Sequence, residues 1–250
     1  MGFGIVCGVK LPETPGTRGR ATGLAWVAGC VVVGWVLTAC GSSVPGHPSG
    51  PAGSATPEAT KHVGADLAVL LPGQSQFPAT YQAVVLPAPH TAQAAADLTG
   101  IPVGSTVDPA DCVAPPPADP HQVAVVVGTD ENTSATITVE LSRSPEPLDR
   151  LRAQLGQCGT VRARHGALVT TVTTELDPPP PVNADDSLAW SRTAGGQRGG
   201  AGLTRFMRTL AAQVGDVRIT ATYLSFGHDA PDMEALDQVF TATVGDVRKG

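Results

Sequence analysis

Aromatic residues make up only 4% of this 250-residue chain, and lysine is almost missing. Two tyrosines, three tryptophans and five phenylalanines give little material for a platform on which bases or sugars could stack. The lysines (Lys10, Lys61 and Lys249) stand far apart, the arginines form no cluster, and the formal net charge is −6. A nucleic-acid binder needs concentrated positive charge to displace counterions from phosphates, so nucleic acid is excluded as a partner. The sequence also lacks a Gly-x-Ser-x-Gly elbow, a His-Glu-x-x-His pair, a phosphate-binding loop and a Ser-x-x-Lys motif. Each would have marked a specific chemistry. The expectation is therefore a non-enzymatic protein that carries no cofactor and no metal.

What is present begins with an export signal. Lys10, Arg18 and Arg20 precede an apolar run from Gly23 to Leu37, which ends in Leu37-Thr38-Ala39-Cys40. A basic stretch, an apolar stretch and small residues before a cleavage point are the parts of a secretory signal. The apolar run is short for a helix crossing about 30 Å of hydrocarbon. Leu37, Thr38, Ala39 and Cys40 resemble the bacterial lipobox. That resemblance implies cleavage before Cys40 and a diacylglycerol thioether on its sulfur, with several acyl chains supplying the stable anchoring that one chain does not. Loss of residues 1–39 removes Lys10, Arg18, Arg20 and Glu13 and leaves a charge of −8. Such a domain gains nothing from anionic headgroups, so the covalent lipid is the expected link to the outer face of the cytoplasmic membrane.

Three regions follow: a signal peptide at 1–39, a lipidated cysteine and disordered tether at 40–62, and one domain at 63–250. The tether is Gly, Ser, Pro and Thr with almost no apolar residue, and cannot pack. Abundant Ala, Gly, Val, Pro and Thr with little Lys reads as the product of a GC-rich, actinobacterial genome. Of five cysteines, Cys7 and Cys30 leave with the signal and Cys40 takes lipid. Cys112 and Cys158 remain as a pair in an oxidising compartment, and a disulfide between them is expected. Neither has a second cysteine or histidine at ligand spacing, which argues against metal.

Within the domain, Leu67–Leu71 reads as a helical turn, Tyr81–Leu86 as a strand, His90–Leu98 as a short helix and Ile101–Pro120 as a loop. Gln122–Gly128 and Ser134–Ser142 read as a hairpin, since Ala135, Ile137, Val139 and Leu141 alternate with Thr136, Thr138 and Glu140. Leu148, Leu151 and Leu155 recur at helical spacing over Pro147–Cys158. His165–Leu176 and Ser187–Arg192 read as strands, with a Gly-rich loop at 195–202. Leu203–Gln213 fits a helix or a strand; Gly215-Asp216 favours a hairpin into Val217–Leu224. Pro231–Val244 closes the chain as a helix. The pentapeptide Val-Gly-Asp-Val-Arg occurs at 214–218 and 244–248, too short a match to be a structural repeat. The fold class expected is α+β: a single antiparallel sheet with helices packed on one face.

A Leu-Leu-Pro opening, a strand pair, a helix ending in Cys158-Gly159, a three-strand meander and a closing helix span Leu67 to Val247. This order resembles small mycobacterial envelope lipoproteins and is similar to the extracellular sensor domain of the mycobacterial receptor kinase PknH. The resemblance implies a ligand-sensing sheet with a cleft. The second disulfide of that sensor domain, in its late strands, has no counterpart here.

The remaining polar candidates are dispersed. His47 and His62 lie in or beside the tether, and His90, His121, His165 and His228 sit at element ends, where exposed histidine is ordinary. Asp185-Asp186 and Asp108/Asp111 could serve acid–base work or Ca²⁺, but loop carboxylates beside proline more often cap turns. Arg198 and the glycines around it could approach a phosphate, though no helix N-terminus follows them in this reading. Asn132-Thr133-Ser134 matches a glycan sequon. The leading expectation is a module that binds a small molecule or an envelope protein. A lipid or glycolipid carrier comes second, and a wall hydrolase using Asp185, Asp186 and His165 third.

Overall fold

Period-two alternation dominates from Tyr81 to Phe226, and in a computed structural model of the chain it resolves, among the described residues, into one nine-stranded antiparallel sheet. The structure describes residues 61–113, 119–144, 146–196, 204–227 and 231–250. In chain order the strands are β1 (Tyr81–Val85), β2 (Thr106–Asp108), β3 (Val123–Asp130), β4 (Thr136–Arg143), β5 (Thr160–His165), β6 (Leu168–Asp177), β7 (Asp186–Gly196), β8 (Arg205–Val214) and β9 (Val217–Phe226). The helices are α1 (Ala88–Asp97), α2 (Leu148–Gln157) and α3 (Met233–Lys249). Across the sheet the order is β1-β3-β4-β9-β8-β7-β6-β5-β2.

Alternation decides which side chains meet which helix. On one face Val217, Ile219, Ala221 and Tyr223 of β9 join Ile137, Val139 and Leu141 of β4 and Leu210, Ala212 and Val214 of β8. They pack against Leu236, Val239, Phe240, Val244 and Val247, the apolar stripe of α3. Asp232 caps this helix by accepting from Ala235 N at 3.0 Å, while Arg248 and Lys249 lie in its last turn, where a cation suits the helix dipole.

The single antiparallel sheet of an α+β fold is as the alternation predicted, but the helices are shared between its faces. Leu148 and Leu155 of α2 pack with Leu188, Trp190 and Ala211, whereas Ala189 points to the α3 side. Adjacent residues of β7 thus feed opposite layers. A nine-stranded sheet with apolar residues at both parities needs cover on both sides.

Three local expectations are corrected. His165–Leu176 is not one strand: Gly166, at φ +59°, turns the chain between β5 and β6. The stretch 101–120, read as loop, contributes the edge strand β2, paired through Val107 with Ala163. Gly195 and Gly196 extend β7 instead of opening the glycine-rich loop, and 197–203 lie outside the described residues. Within the ambiguous segment Leu203–Gln213, residues Arg205 to Gln213 belong to strand β8, as the hairpin turn suggested.

Two glycines are required by close approach. A Cβ on Gly128 would sit 2.5 Å from the ring of Phe77, which lies across β3. Gly215 has φ +56°, and a Cβ there would meet the Lys61 carbonyl at 2.2 Å. At Gly215 the start of the domain is fastened. Asp216 N donates to Lys61 O at 2.8 Å, and the Asp216 carboxylate accepts from Val63 N at 2.9 Å and contacts His62 Nδ1 at 2.7 Å. Arg143 reaches the same carboxylate at 3.0 Å and donates to the carbonyls of Val63 and Ala65. Burial pushes the Asp216 carboxyl up, but the bonds from Val63, His62 and Arg143 together outweigh it and hold it below the ordinary value. A depressed carboxyl contributes stability that is present above its unfolded pKa and lost as pH falls through the folded one. Acidification below about pH 4 is therefore expected to release the 61–65 strap before the sheet, seen as loss of the native Val63 amide resonance while β9 amides persist.

The outer edge of β1 is closed by a side chain. Gln74 Nε2 donates to Tyr81 O at 2.7 Å and its Oε1 accepts from Ala83 N at 2.8 Å, as a neighbouring strand would. Unpaired edges invite pairing with other chains. Gln74→Ala is expected to speed exchange of the Ala83 amide by at least tenfold and to make sedimentation concentration-dependent.

Candidate functional site

The residues singled out from sequence are not brought together. Cys40 and its preceding Leu37, Thr38 and Ala39 lie outside the described residues, as do His47, Arg198 and His228. His90 and His121 are exposed, while His62 belongs to the Asp216 fastening. Asp185 accepts from Gly215 N at 2.7 Å, and Asp186 accepts from Ser187 N at 2.7 Å and meets Arg152. Both carboxylates hold turns. His165 pairs with Leu168 at the start of β6, whereas Asp186 begins β7 beyond the far end of β6, about 30 Å away for a ten-residue strand. The hydrolase constellation of Asp185, Asp186 and His165 is thus dismantled by the topology. Asp108 and Asp111 are exposed, Asp108 facing Arg162 across the β2–β5 pair. Asn132 and Thr133 serve the β3–β4 turn, bonding to the carboxylate of Asp130. Among the described residues no three His, Cys, Asp or Glu form a metal-binding group.

Cys112 and Cys158 are joined in a disulfide that ties the turn after β2 to the C-terminal end of α2. Around it Val107, Val161, Val172, Ala194, Met207 and Leu224 form a separate apolar cluster, on which Leu98 and Ile101 rest.

The polar feature that motif reading missed is on the α2 side of the sheet. There α2 lies over β6 and β7, while α1 runs beside β3. The chain just after α1 is held above β7 and β8 by Arg192, which reaches Leu98 O at 3.5 Å, and Arg205, which donates to Gly100 O at 3.2 Å. Between the helices the face of β4, β9 and β8 carries hydroxyls. Thr138, Thr222 and Thr209 stand side by side on the three strands, all buried, with Thr209 and Thr222 hydrogen-bonded at 2.9 Å. One row along, Glu140 faces Thr220, flanked by Arg218, and all three are half-buried.

The charges of this feature are unusual. Burial pushes the Glu140 carboxyl above the ordinary value, with Arg218 opposing, and among the described residues no hydrogen bond supports the carboxylate. Burial lowers Arg218 in turn, against Glu146 and Glu140. Arg218 gives Nη2 to the Glu146 carbonyl, but its Nε is buried with no partner among the described residues. Burial also brings Arg192 down to about 10, still protonated at neutral pH; it bonds Thr174 at 3.2 Å and lies 5.9 Å over the Trp190 ring. Burial of a charge is costly, and at Glu140 the positive charge of Arg218 offsets part of that cost. The signal was in the sequence: Glu140 and Arg218 interrupt the apolar–hydroxyl alternation of their strands. Only the pairing of β4 with β9 makes them neighbours.

No protein-family model matches the chain, and no curated protein matches it significantly. Among solved structures the chain is similar in fold to an uncharacterised protein of Mycobacterium smegmatis, the Rv0999 ortholog, at 17% identity and a TM-score of 0.46, covering 74% of this chain and 97% of that one. It is likewise similar to the extracellular domain of PknH from Mycobacterium tuberculosis, at 14% identity and a TM-score of 0.43, again over 74% of this chain and 97% of that one.

Proposed function

We propose that the chain is an envelope lipoprotein whose domain binds a ligand or partner without catalysis. Export and cleavage before Cys40 leave it anchored by acyl chains on the outer face of the cytoplasmic membrane, with the domain at the end of the tether. The observation that carries the binding half of this reading is Glu140, a half-buried carboxylate with no hydrogen-bonding partner among the described residues, beside Arg218 and the row Thr138, Thr222 and Thr209. A few placed polar and charged groups are what orient a ligand in a small-molecule site. A lipid carrier needs a long apolar cavity instead. Here Leu236, Val239 and Phe240 of α3 fill one face of the sheet, and Leu148 and Leu155 of α2 pack on the other.

The test is a native mass spectrum of protein extracted from its own membrane. A diacylglycerol adduct on an N-terminal Cys40, together with a retained non-covalent small molecule or protein, supports the reading. An unprocessed N-terminus removes the anchor. Chain with neither bound ligand nor partner, in extracts gentle enough to keep complexes, removes the binding role.

A further inference from the structure

We infer that the Cys112–Cys158 disulfide is a reducible latch on the segment from Leu98 to Cys112. While the bond is closed, this segment is a fixed cover over an apolar strip of the sheet. Reduction turns the cover into a lid that opens onto the strip. The strip consists of Val161, Val172, Ala194, Met207 and Leu224, which follow one another across β5, β6, β7, β8 and β9. The cover lies directly on it. Gly100, at φ +76°, comes so close that a Cβ there would stand 3.1 Å from Met207 Cε, 3.2 Å from Ala194 Cβ and 3.4 Å from Val172 Cγ2. Leu98, Ile101 and Val107 pack on the same cluster.

Little else holds the cover down. At its start Arg192 reaches Leu98 O at 3.5 Å and Arg205 donates to Gly100 O at 3.2 Å. Towards its end the three residues of β2 pair with β5, and the disulfide ties Cys112 to the end of α2. Among the described residues, the apolar clusters packed by α3 and α2 include none from 98 to 112. The cover can therefore lift without unpacking either helix. A segment with few ladder bonds and its own small cluster opens as a separate unit. The crosslink suppresses that opening by restricting the released chain.

Cys112 is buried, whereas Cys158 is half-buried at the C-terminal end of α2, so an incoming thiolate reaches Cys158 first. The reductant required is a dithiol, either a small molecule or the active site of an exported oxidoreductase. Its thiolate attacks Cys158 Sγ, forms a mixed disulfide and expels Cys112 as a thiolate, which takes up a proton. Its second thiol then attacks the reductant sulfur of the mixed disulfide, closes the reductant's own disulfide and releases Cys158. Two electrons and two protons pass from the dithiol to the protein. The accessible apolar surface of the domain then depends on the thiol–disulfide state of its surroundings.

Hydrogen exchange read by mass spectrometry on the intact chain tests this. The samples are oxidised protein, protein reduced with dithiothreitol and the variant Cys112→Ser/Cys158→Ser, with reduction checked by thiol alkylation. Exchange over 98–112 is expected to be about a hundredfold faster in the reduced protein and in the variant, while β9 and α3 remain the slowest-exchanging parts of the chain. Met207, 1% exposed beneath the cover, should form its sulfoxide faster with peroxide in the variant than in oxidised protein. Unchanged exchange over 98–112 after reduction overturns the inference. So does a cover that opens only together with β9 and α3, since the disulfide would then brace the whole fold. Failure of dithiothreitol to reduce the folded protein overturns it as well, whatever the variant does.

Discussion

Phe240→Ala is expected to lower the thermal midpoint by roughly 10 °C, the largest single effect of any one substitution here. Phe240 is 0% exposed on the inner stripe of α3, between Leu236, Val239 and Val244, and it meets the face where β4, β9 and β8 present Val139, Ala221 and Leu210. Truncating a buried phenylalanine costs about 3–5 kcal/mol through lost transfer energy and the cavity left behind. The neighbours offer little relief. The opposing strand residues are pinned by ladders on both sides, and Ala221 and Ala212 are already too small to move into the void. For a domain of this size each kcal/mol is worth about 2–4 °C. Far-ultraviolet circular dichroism melts of wild type and variant measure it; a shift below about 3 °C would mean that α3 is not the lid of this core.

Replacing both Cys112 and Cys158 by serine is the second large effect. The two cysteines are 46 residues apart in sequence, and closing a loop of that size restricts the unfolded chain by about 4 kcal/mol on the entropic account, with measured losses of about 2–5 kcal/mol. The segment fastened is weak on its own. β2 has three residues, sits at the sheet edge and continues into a single 3-10 turn, so few ladder bonds hold it. Removal of the crosslink should lower the urea midpoint and raise the m-value, because the unfolded chain exposes more surface once the loop is open. Thiol reductant should move the wild type to the variant's curve and leave the variant where it is. A reductant-insensitive wild type would show that the pair is not joined in solution.

Much of the architecture could be read from residue order, because local rules coincided with the tertiary outcome. Ile137, Val139 and Leu141 alternate with polar residues and make a strand, Leu148, Leu151 and Leu155 make a helix, and Pro231–Val244 reads as the last one. The short strands β2 and β5 were not legible. Thr106-Val107-Asp108 is stabilised only by its partner, and β5, next to that edge, has just Val161 and Ala163 as apolar positions between exposed Arg162 and Arg164, too short a period to announce it. The neighbouring of Glu140 and Arg218 was illegible for a related reason. Glu140 and Arg218 are 78 positions apart, and each alone looks like a solvated charge on a strand.

The repeated pentapeptide Val-Gly-Asp-Val-Arg marks where sequence stops deciding. At 214–218 it is a hairpin turn, with Gly215 in the left-handed region and Asp216 gripping the strap at 61–65. At 244–248 the same five residues are helix, and Asp246 accepts a bond from Gln76 at 2.6 Å. In both copies the two valines enter the same apolar core. The residues by themselves determined that two apolar side chains three positions apart must be buried, and that glycine permits either backbone. Whether the chain turned or coiled was settled by what lay on each side: strands β8 and β9 seeking their ladder in one case, and a capped amphipathic helix with a sheet to cover in the other. Burial is fixed by composition and spacing, whereas conformation at a permissive site is fixed by the neighbours that satisfy its backbone hydrogen bonds.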